Sequence, residues 1–277
     1  MLTNKTITFL GAGAMAEAII GGLIRNQIVD PHNIIATNLS DTNKLEKLKM
    51  RYNIQTTTSR TWAVEQAEII VLAMKPKNIE EAVREIKEKV NNDKLIISVI
   101  AGIPSSYIED LSGTKSRVVR TMPNTSAKVG ASATAICAGR YSTSDDLETV
   151  SLLFSAVGTV TVVPEEKMDA VTGVAGSGPA YFYYLIEAME KAAVESGLTS
   201  EEATALITQT VVGVGKRLQD TSKSSRELYE EVMSPNGTTE AGITLLSERN
   251  GQDAMHDAIL KAIARSKELG SVFTESK

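Results

Sequence analysis

Cysteine is almost absent from this 277-residue chain: Cys137 stands alone. One thiol can form neither a disulfide within the chain nor a cysteine-based metal centre. In the run Thr134-Ala135-Ile136-Cys137-Ala138 it reads as a small buried apolar side chain. Histidine is nearly as scarce. His32 and His256 are not at ligand spacing, so no metal is expected and a histidine general acid is disfavoured. No apolar run approaches the roughly 18 residues of a membrane span. Residues 1–5 lead straight into a strand-like run, without the apolar stretch and cleavage site of a signal peptide. The expectation is a cytoplasmic protein with no membrane partner. Positive charge is not in excess either: the formal net charge is −5, which argues against a nucleic-acid partner. What remains, 42% apolar and 23% charged residues, is ordinary globular composition. The length suits one or two domains with a sizeable core.

The first half alternates between two periodicities. Residues 6–10, 33–37, 68–74, 95–100 and 117–121 read as strands, and 134–138 and 160–163 as further, edge strands. Residues 16–25, 41–52, 79–90 and 145–155 read as helices. The third and fourth strands are continuous apolar runs, the mark of strands buried on both faces in a parallel sheet. Strand–helix alternation with right-handed crossovers implies a doubly wound fold. After residue 164 strands disappear, and residues 180–196, 200–220, 239–249 and 253–269 read as helices. Their apolar stripes are wide: Ala203, Leu206, Ile207, Thr210, Val211 and Val214 in one, Ala258, Ile259, Ala262, Ile263 and Leu269 in another. Such faces exceed what a small helical domain covers, which points to a homodimer rather than to burial within one chain. The expected architecture is an α/β Rossmann domain with a doubly wound, mainly parallel sheet over 1–164, then an all-α dimerisation and substrate domain over 165–277. Residues 274–277 read as frayed.

Strand 6–10 runs into Gly11-Ala12-Gly13-Ala14-Met15-Ala16 and then a helix. This is a Gly-x-Gly-x-x-Ala dinucleotide turn: Gly11 for the tight turn, Gly13 for close approach of backbone to a pyrophosphate, Ala16 for helix–strand packing. The helix N–H groups then face the phosphates. The spacing alone is weak, and the strand–turn–helix context strengthens it. An NAD site expects an acid at the end of the second strand, whereas here Asn38 and Ser40 are neutral. With Lys44 and Arg60 as neighbours, this favours NADPH, leaving NADH possible as a second donor. Ala73-Met74-Lys75-Pro76 and Ile100-Ala101 follow the third and fourth strands, at the carboxyl ends where open α/β sheets bind ligands. The bland reading of Lys75 is a solvated turn lysine.

Several motifs together resemble one family, the pyrroline-5-carboxylate reductases. They are the Gly11 turn, Ala73-Met74-Lys75-Pro76, Arg120-Thr121-Met122-Pro123-Asn124-Thr125, Asp169-Ala170-Val171-Thr172-Gly173-Val174-Ala175-Gly176-Ser177-Gly178-Pro179-Ala180-Tyr181 and Ser234-Pro235-Asn236-Gly237-Thr238-Thr239. The resemblance spans essentially the whole chain. It implies NAD(P)H-dependent reduction of the C=N bond of 1-pyrroline-5-carboxylate to L-proline, the last step of proline biosynthesis, by a homodimer that in some members assembles into a larger ring. It implies that Ser234, Gly237, Thr238 and Thr239 bind the substrate carboxylate, that Thr239 lies beside the imine nitrogen as the catalytic residue, and that Glu165 borders the site. Two residues depart from the family pattern: Asn236 stands where Gly is usual, and Arg60 where some members have a cofactor-contacting Asn. Asn tolerates a left-handed turn better than most residues.

The chemistry agrees with the residues present. A protonated cyclic imine is already electrophilic, so orientation matters more than a strong acid. Gly237-Thr238-Thr239-Glu240 reads as a helix start whose N–H groups suit an anion; taken alone, Thr239 there reads as a plain N-cap. Two alternatives stand beside this reading. A β-hydroxyacid dehydrogenase of similar layout would need a helix lysine, for which Lys191 is the candidate. A non-catalytic dinucleotide-sensing paralogue would be favoured only by Asn236.

Overall fold

The computed structural model describes Leu2, residues 4–113 and residues 115–273; the expectation for 274–277 lies outside the described residues. Contacts group the chain through Pro179, together with residues from Lys261 onward, into one compact unit, and Ala180–Leu260 into a second.

The first unit is built on a sheet. In chain order its elements are β1 (Ile7–Leu10), α1 (Ala14–Arg25), β2 (Ile34–Thr37), α2 (Thr42–Tyr52), β3 (Gln55–Thr57), α3 (Arg60–Gln66), β4 (Ile69–Leu72), α4 (Ile79–Ile86), β5 (Leu95–Ser98), α5 (Ser105–Ser112), β6 (Arg117–Met122), β7 (Ser132–Ala138), α6 (Ser144–Ser155), β8 (Gly158–Val162) and the short α7 (Met168–Val171). The strand order is β3-β2-β1-β4-β5-β6-β7-β8. Pairing is parallel throughout except between β6 and β7. The chain order reverses between β1 and β4, which opens a crevice at the carboxyl ends of those strands.

Consecutive residues of the central strands serve opposite layers. Ile7, Phe9, Ile69, Val71, Leu95 and Ile97 pack with Ile19, Ile20, Leu23, Leu48 and Phe154. Leu10, Ile70, Leu72 and Ile96 pack with Val64, Val83, Ile86 and Ile108. Helices on both sides therefore require unbroken apolar strands. Beyond β8 the chain stays with the sheet: Met168 is buried against Ala135 and Cys137.

Five features of this unit differ from the sequence expectation. β7 is not an edge strand, since it lies between β6 and β8. β3, α3, α5 and α7 were not foreseen. β3 is three polar residues, Gln-Thr-Thr, and α3 is a seven-residue helix started by Ser59, whose side chain accepts from the Trp62 N–H.

The second unit holds most of α8 (Gly178–Glu195), α9 (Ser200–Gln219), α10 (Ser225–Val232), α11 (Thr238–Glu248) and the first half of α12 (Gly251–Ser271). α10 was also unforeseen; Ser224 and Glu227 start it with a reciprocal capping box. Among the described residues of this unit, Ala203 and Ile207 are the buried hydrophobics, while Phe182, Tyr183, Tyr184, Leu206 and Val214 are exposed. No helix among the described residues is long and apolar enough to cross a membrane.

Candidate active site

β1 runs into Gly11, whose N–H donates to the Thr37 carbonyl at 3.2 Å. Gly11 holds φ at +117°, and a Cβ there would lie 2.5 Å from the Ala73 carbonyl oxygen. The fold itself thus demands glycine at this position. Gly13 is different. A Cβ there would meet only Ala73 O, at 3.9 Å, so its lack of a side chain keeps the mouth of the turn open. Gly13 is also the N-cap of α1, and no side chain caps that helix. Its first N–H groups are therefore available to an anion. Ala12 and Ala16 are buried, and α1 packs close to the sheet behind them.

The turn opens into a cleft of about 550 Å³. Of the predicted cofactor residues, Gly11, Ala12, Gly13, Asn38, Ser40, Arg60, Ala73 and Lys75 line it. Ala14, Met15, Pro76, Ile100 and Ala101 are not part of its lining. Lys44, noted as a neighbour, is present, and Lys77 and Asn78 join without having been foreseen. They sit on the 3₁₀ turn Pro76–Asn78 after β4, where only their distance from the strand end could have signalled them.

The groups around the cleft are partly committed. Asn38 Oδ1 accepts from the N–H groups of Ser40 and Asp41 at 3.2 and 3.0 Å. Asp41 caps α2 by accepting from the Lys44 N–H at 2.9 Å. Arg60 is buried, and its Nη1 donates to Glu81 Oε1 at 3.1 Å and Glu85 Oε2 at 2.7 Å. It therefore meets the cleft as an ion-paired side chain rather than an isolated charge.

Glu165 has a structural task that sequence reasoning missed. α5 starts after Pro104, which offers no capping side chain. Glu165 supplies the cap from 60 residues away, accepting from Ser105 N at 2.7 Å and Ser105 Oγ at 2.5 Å. Its Oε1 also faces the buried Arg120 Nη1 at 3.4 Å. Both carboxylate oxygens are engaged. Nearby, burial pushes the Cys137 thiol up to about 12, with the Glu165 charge adding to the shift. It is not a nucleophile at neutral pH.

The anion-type turn of the second unit has its own logic. Gly237 N donates to Ser234 O at 2.9 Å, closing a turn with Pro235 and Asn236 at its centre. Asn236 holds φ at +58°. Proline followed by a left-handed residue is the order of a type II turn, so Asn236 performs the task that glycine performs elsewhere. A Cβ on Gly237 would lie 2.6 Å from Ser234 Oγ and 2.8 Å from Ser234 O. Gly237 is the N-cap of α11 and no side chain caps it. The plain N-cap reading of Thr239 therefore does not hold, because Thr239 is already the second helical residue. It is half-buried, with Ser234 and Thr238 exposed. Glu240 Oε2 accepts from Asn236 N at 2.6 Å and braces the turn. Lys191, the lysine a hydroxyacid dehydrogenase would need, is 79% exposed at its side chain and faces Glu195 at 4.0 Å.

Residues 165–269 match the family model described as pyrroline-5-carboxylate reductase dimerisation, and residues 6–102 match that of NADP oxidoreductase, coenzyme F420-dependent. The chain is similar to pyrroline-5-carboxylate reductase 1 of Bacillus spizizenii, with 41% identity over 96% of this chain and 90% of that protein. Among solved structures it is similar to a pyrroline-5-carboxylate reductase from Coxiella burnetii, with TM-score 0.89, 36% identity, and 96% and 99% of the two chains covered. It is also similar to the Plasmodium falciparum pyrroline carboxylate reductase with NADP bound, with TM-score 0.88, 27% identity, and 96% and 98% covered.

Proposed function

The chain belongs to the pyrroline-5-carboxylate reductase family, and from that premise we propose that it reduces 1-pyrroline-5-carboxylate to L-proline with NADPH as donor. The observation that carries the reading is a pair of helix starts. α1 and α11 each begin on a glycine that no side chain caps, Gly13 and Gly237. One suits a pyrophosphate and the other a carboxylate.

In this reading Gly11, Ala12, Gly13, Ala14 and Met15 hold the pyrophosphate. Asn38, Ser40 and Arg60 border the adenosine ribose and its 2′-phosphate. Ala73, Lys75, Pro76, Ile100 and Ala101 line the way to the nicotinamide. Ser234, Gly237, Thr238 and Thr239 bind the substrate carboxylate. Glu165 borders the site through α5, the helix that follows the Ile100-Ala101 turn. When bound, the cofactor would supply the hydride that the imine carbon accepts, and the already protonated nitrogen becomes the amine as the C=N π pair moves onto it. The chain's part is orientation, which supplies roughly 7–11 kcal/mol in favourable cases. The Thr239 hydroxyl oxygen accepts the N–H of the protonated imine, directly or through a water. NADH serves as a second, weaker donor. The working protein is a homodimer, as the dimerisation match over 165–269 supports; a larger ring of dimers and a cytoplasmic location complete the proposal.

The test mixes protein, NADPH and 1-pyrroline-5-carboxylate and follows loss of the reduced nicotinamide absorbance. Oxidation is expected. NADPH binding without oxidation would mark a dinucleotide sensor, and activity on a hydroxyacid alone would mark a dehydrogenase. Thr239→Ala is expected to lower kcat roughly 10²-fold, as misplacement of the reacting atoms does, with the Kd for NADPH within about twofold of wild type. Unchanged kcat removes Thr239 from the mechanism.

A further inference from the structure

Arg60 is the first residue of α3 and lines the same cleft as Gly11, Asn38, Ser40 and Lys44. By the geometry of doubly wound sheets, this is the side where the adenosine ribose lies. Its side chain is only 6% exposed, and its Nη1 is held by two carboxylates, Glu85 at 2.7 Å and Glu81 at 3.1 Å. These glutamates are four residues apart on α4, so they share a face. One guanidinium against two carboxylates leaves this corner of the cleft with a formal charge of −1. Elsewhere the cleft is basic: Lys44, Lys75 and Lys77 line it, against Asp41 alone, whose carboxylate already caps α2.

A 2′-phosphate carries close to two negative charges. It gains from an unopposed guanidinium and loses from a neighbouring carboxylate. A ribose bearing only hydroxyls feels neither effect strongly. The pyrophosphate is common to both cofactors, so its response to any charge change cancels in their ratio. We propose that Glu81 and Glu85 are specificity-determining residues: by neutralising Arg60 they limit the preference of this cleft for a 2′-phosphorylated dinucleotide over its unphosphorylated counterpart. The two acids set the width of cofactor choice without touching the cofactor, acting through Arg60 and through their own field. This rests on the cofactor reading of the cleft, but not on the identity of the imine substrate.

The experiment measures Kd for NADP⁺ and NAD⁺ by isothermal titration on the full-length protein, without substrate. Glu85→Gln is expected to tighten NADP⁺ about three- to fivefold, with NAD⁺ changed less than about twofold, the scale of one partly exposed charge interaction. Glu81→Gln, at the longer distance and with its side chain 69% exposed, gives a smaller shift in the same direction. Raising ionic strength shrinks the gain. Glu85→Asp keeps the charge and retains the wild-type ratio. Glu80→Gln removes a charge from the same helix, but one paired with Arg84, and leaves the ratio unchanged. A Glu85→Gln variant that weakens NADP⁺, that moves both dinucleotides equally, or that is matched by Glu80→Gln overturns the inference. So does a wild-type protein that binds neither dinucleotide. Because no turnover is read, failure of imine reduction leaves the outcome legible: a protein that shifts its ratio but reduces no imine loses the proposed activity and keeps this assignment.

Discussion

Gly11 and Asn236 both occupy left-handed backbone, at φ +117° and +58°, yet they were legible to different degrees. Gly11 announces itself because no other residue fits a Cβ position 2.5 Å from a carbonyl oxygen. Asn236 looked like a departure from the usual glycine, and its backbone shows that the turn is kept. Arg60 was legible as a cation near the cofactor. Its two carboxylate partners were not, since they lie 21 and 25 residues further along the chain. Glu109 is a residue of another kind. It is buried in the sheet unit, Oε1 accepts from Arg140 N at 2.7 Å, and Oε2 accepts no hydrogen bond while facing Arg140 Nε at 3.4 Å. Burial raises its pKa above the ordinary 4.5, with the nearby charges of Glu165 and Asp110 adding to the shift and Arg140 opposing it. A carboxylate whose folded value is raised stabilises most at pH below the unfolded value, and that stability is lost as pH rises through the raised one. At neutral pH the ionised group is therefore a net cost. Glu109→Gln keeps the Oε1 acceptor and removes the charge. It is expected to melt above wild type at neutral pH, with the gap closing as pH falls toward 4.5. Thermal melts across that range check this, and a gap independent of pH refutes the charge as its cause.

At the scale of elements, legibility followed whether the signal was local. β4 and β5 were readable because both faces are buried, and α6 because Thr143 and Asp146 write its start into the sequence. β3 and α3 were missed because one is short and polar and the other short, while the antiparallel β7 was misplaced because strand direction leaves no mark in periodicity. The start of α5 is the clearest non-local case. Its capping group is Glu165, from another segment, and no pattern near Pro104 reveals it. Its removal should act on the element. Glu165→Ala uncaps α5, which costs about 1 kcal/mol. It also leaves Arg120, 7% exposed at its side chain, without its carboxylate, and a broken buried pair costs several kcal/mol. Because Glu165 is itself 29% exposed and 3.4 Å away, the pair counts for less than a fully buried one, about 1–3 kcal/mol, and the two effects together predict a loss of about 2–4 kcal/mol, read from urea unfolding. Glu165→Gln retains an acceptor for Ser105 N and should lose less. If Glu165→Ala is as stable as wild type, the carboxylate does not hold the helix, and its role lies elsewhere.

On the scale of the molecule, the helical unit poses the problem that its apolar stripes already posed in sequence. Buried hydrophobic side chains number dozens in the sheet unit, yet among the described residues of Ala180–Leu260 only Ala203 and Ile207 reach that state. Tyr184 is 75% exposed, Phe182 63% and Leu206 59%. Helices get most of their stability from packing an apolar face, and monomers rarely leave large apolar surfaces open. The match of residues 165–269 to a dimerisation model supplies the partner: a second copy. Stability then becomes a function of concentration, because the associated state is favoured by mass action over unfolded monomers. Dilution should accordingly lower Tm, whereas a monomeric fold would melt at the same temperature at every concentration. Tyr184→Glu and Leu206→Glu place charges on exposed apolar faces of α8 and α9 that an isolated monomer would tolerate within about 0.5 kcal/mol. In a dimer that buries them, each unpaired charge is costly enough to shift sedimentation toward the monomer and to lower Tm by several degrees. If both variants sediment and melt as wild type does, these two faces lie outside the interface. If wild type itself melts independently of concentration, the helical unit is stable without a partner, and the wide apolar stripes call for another occupant.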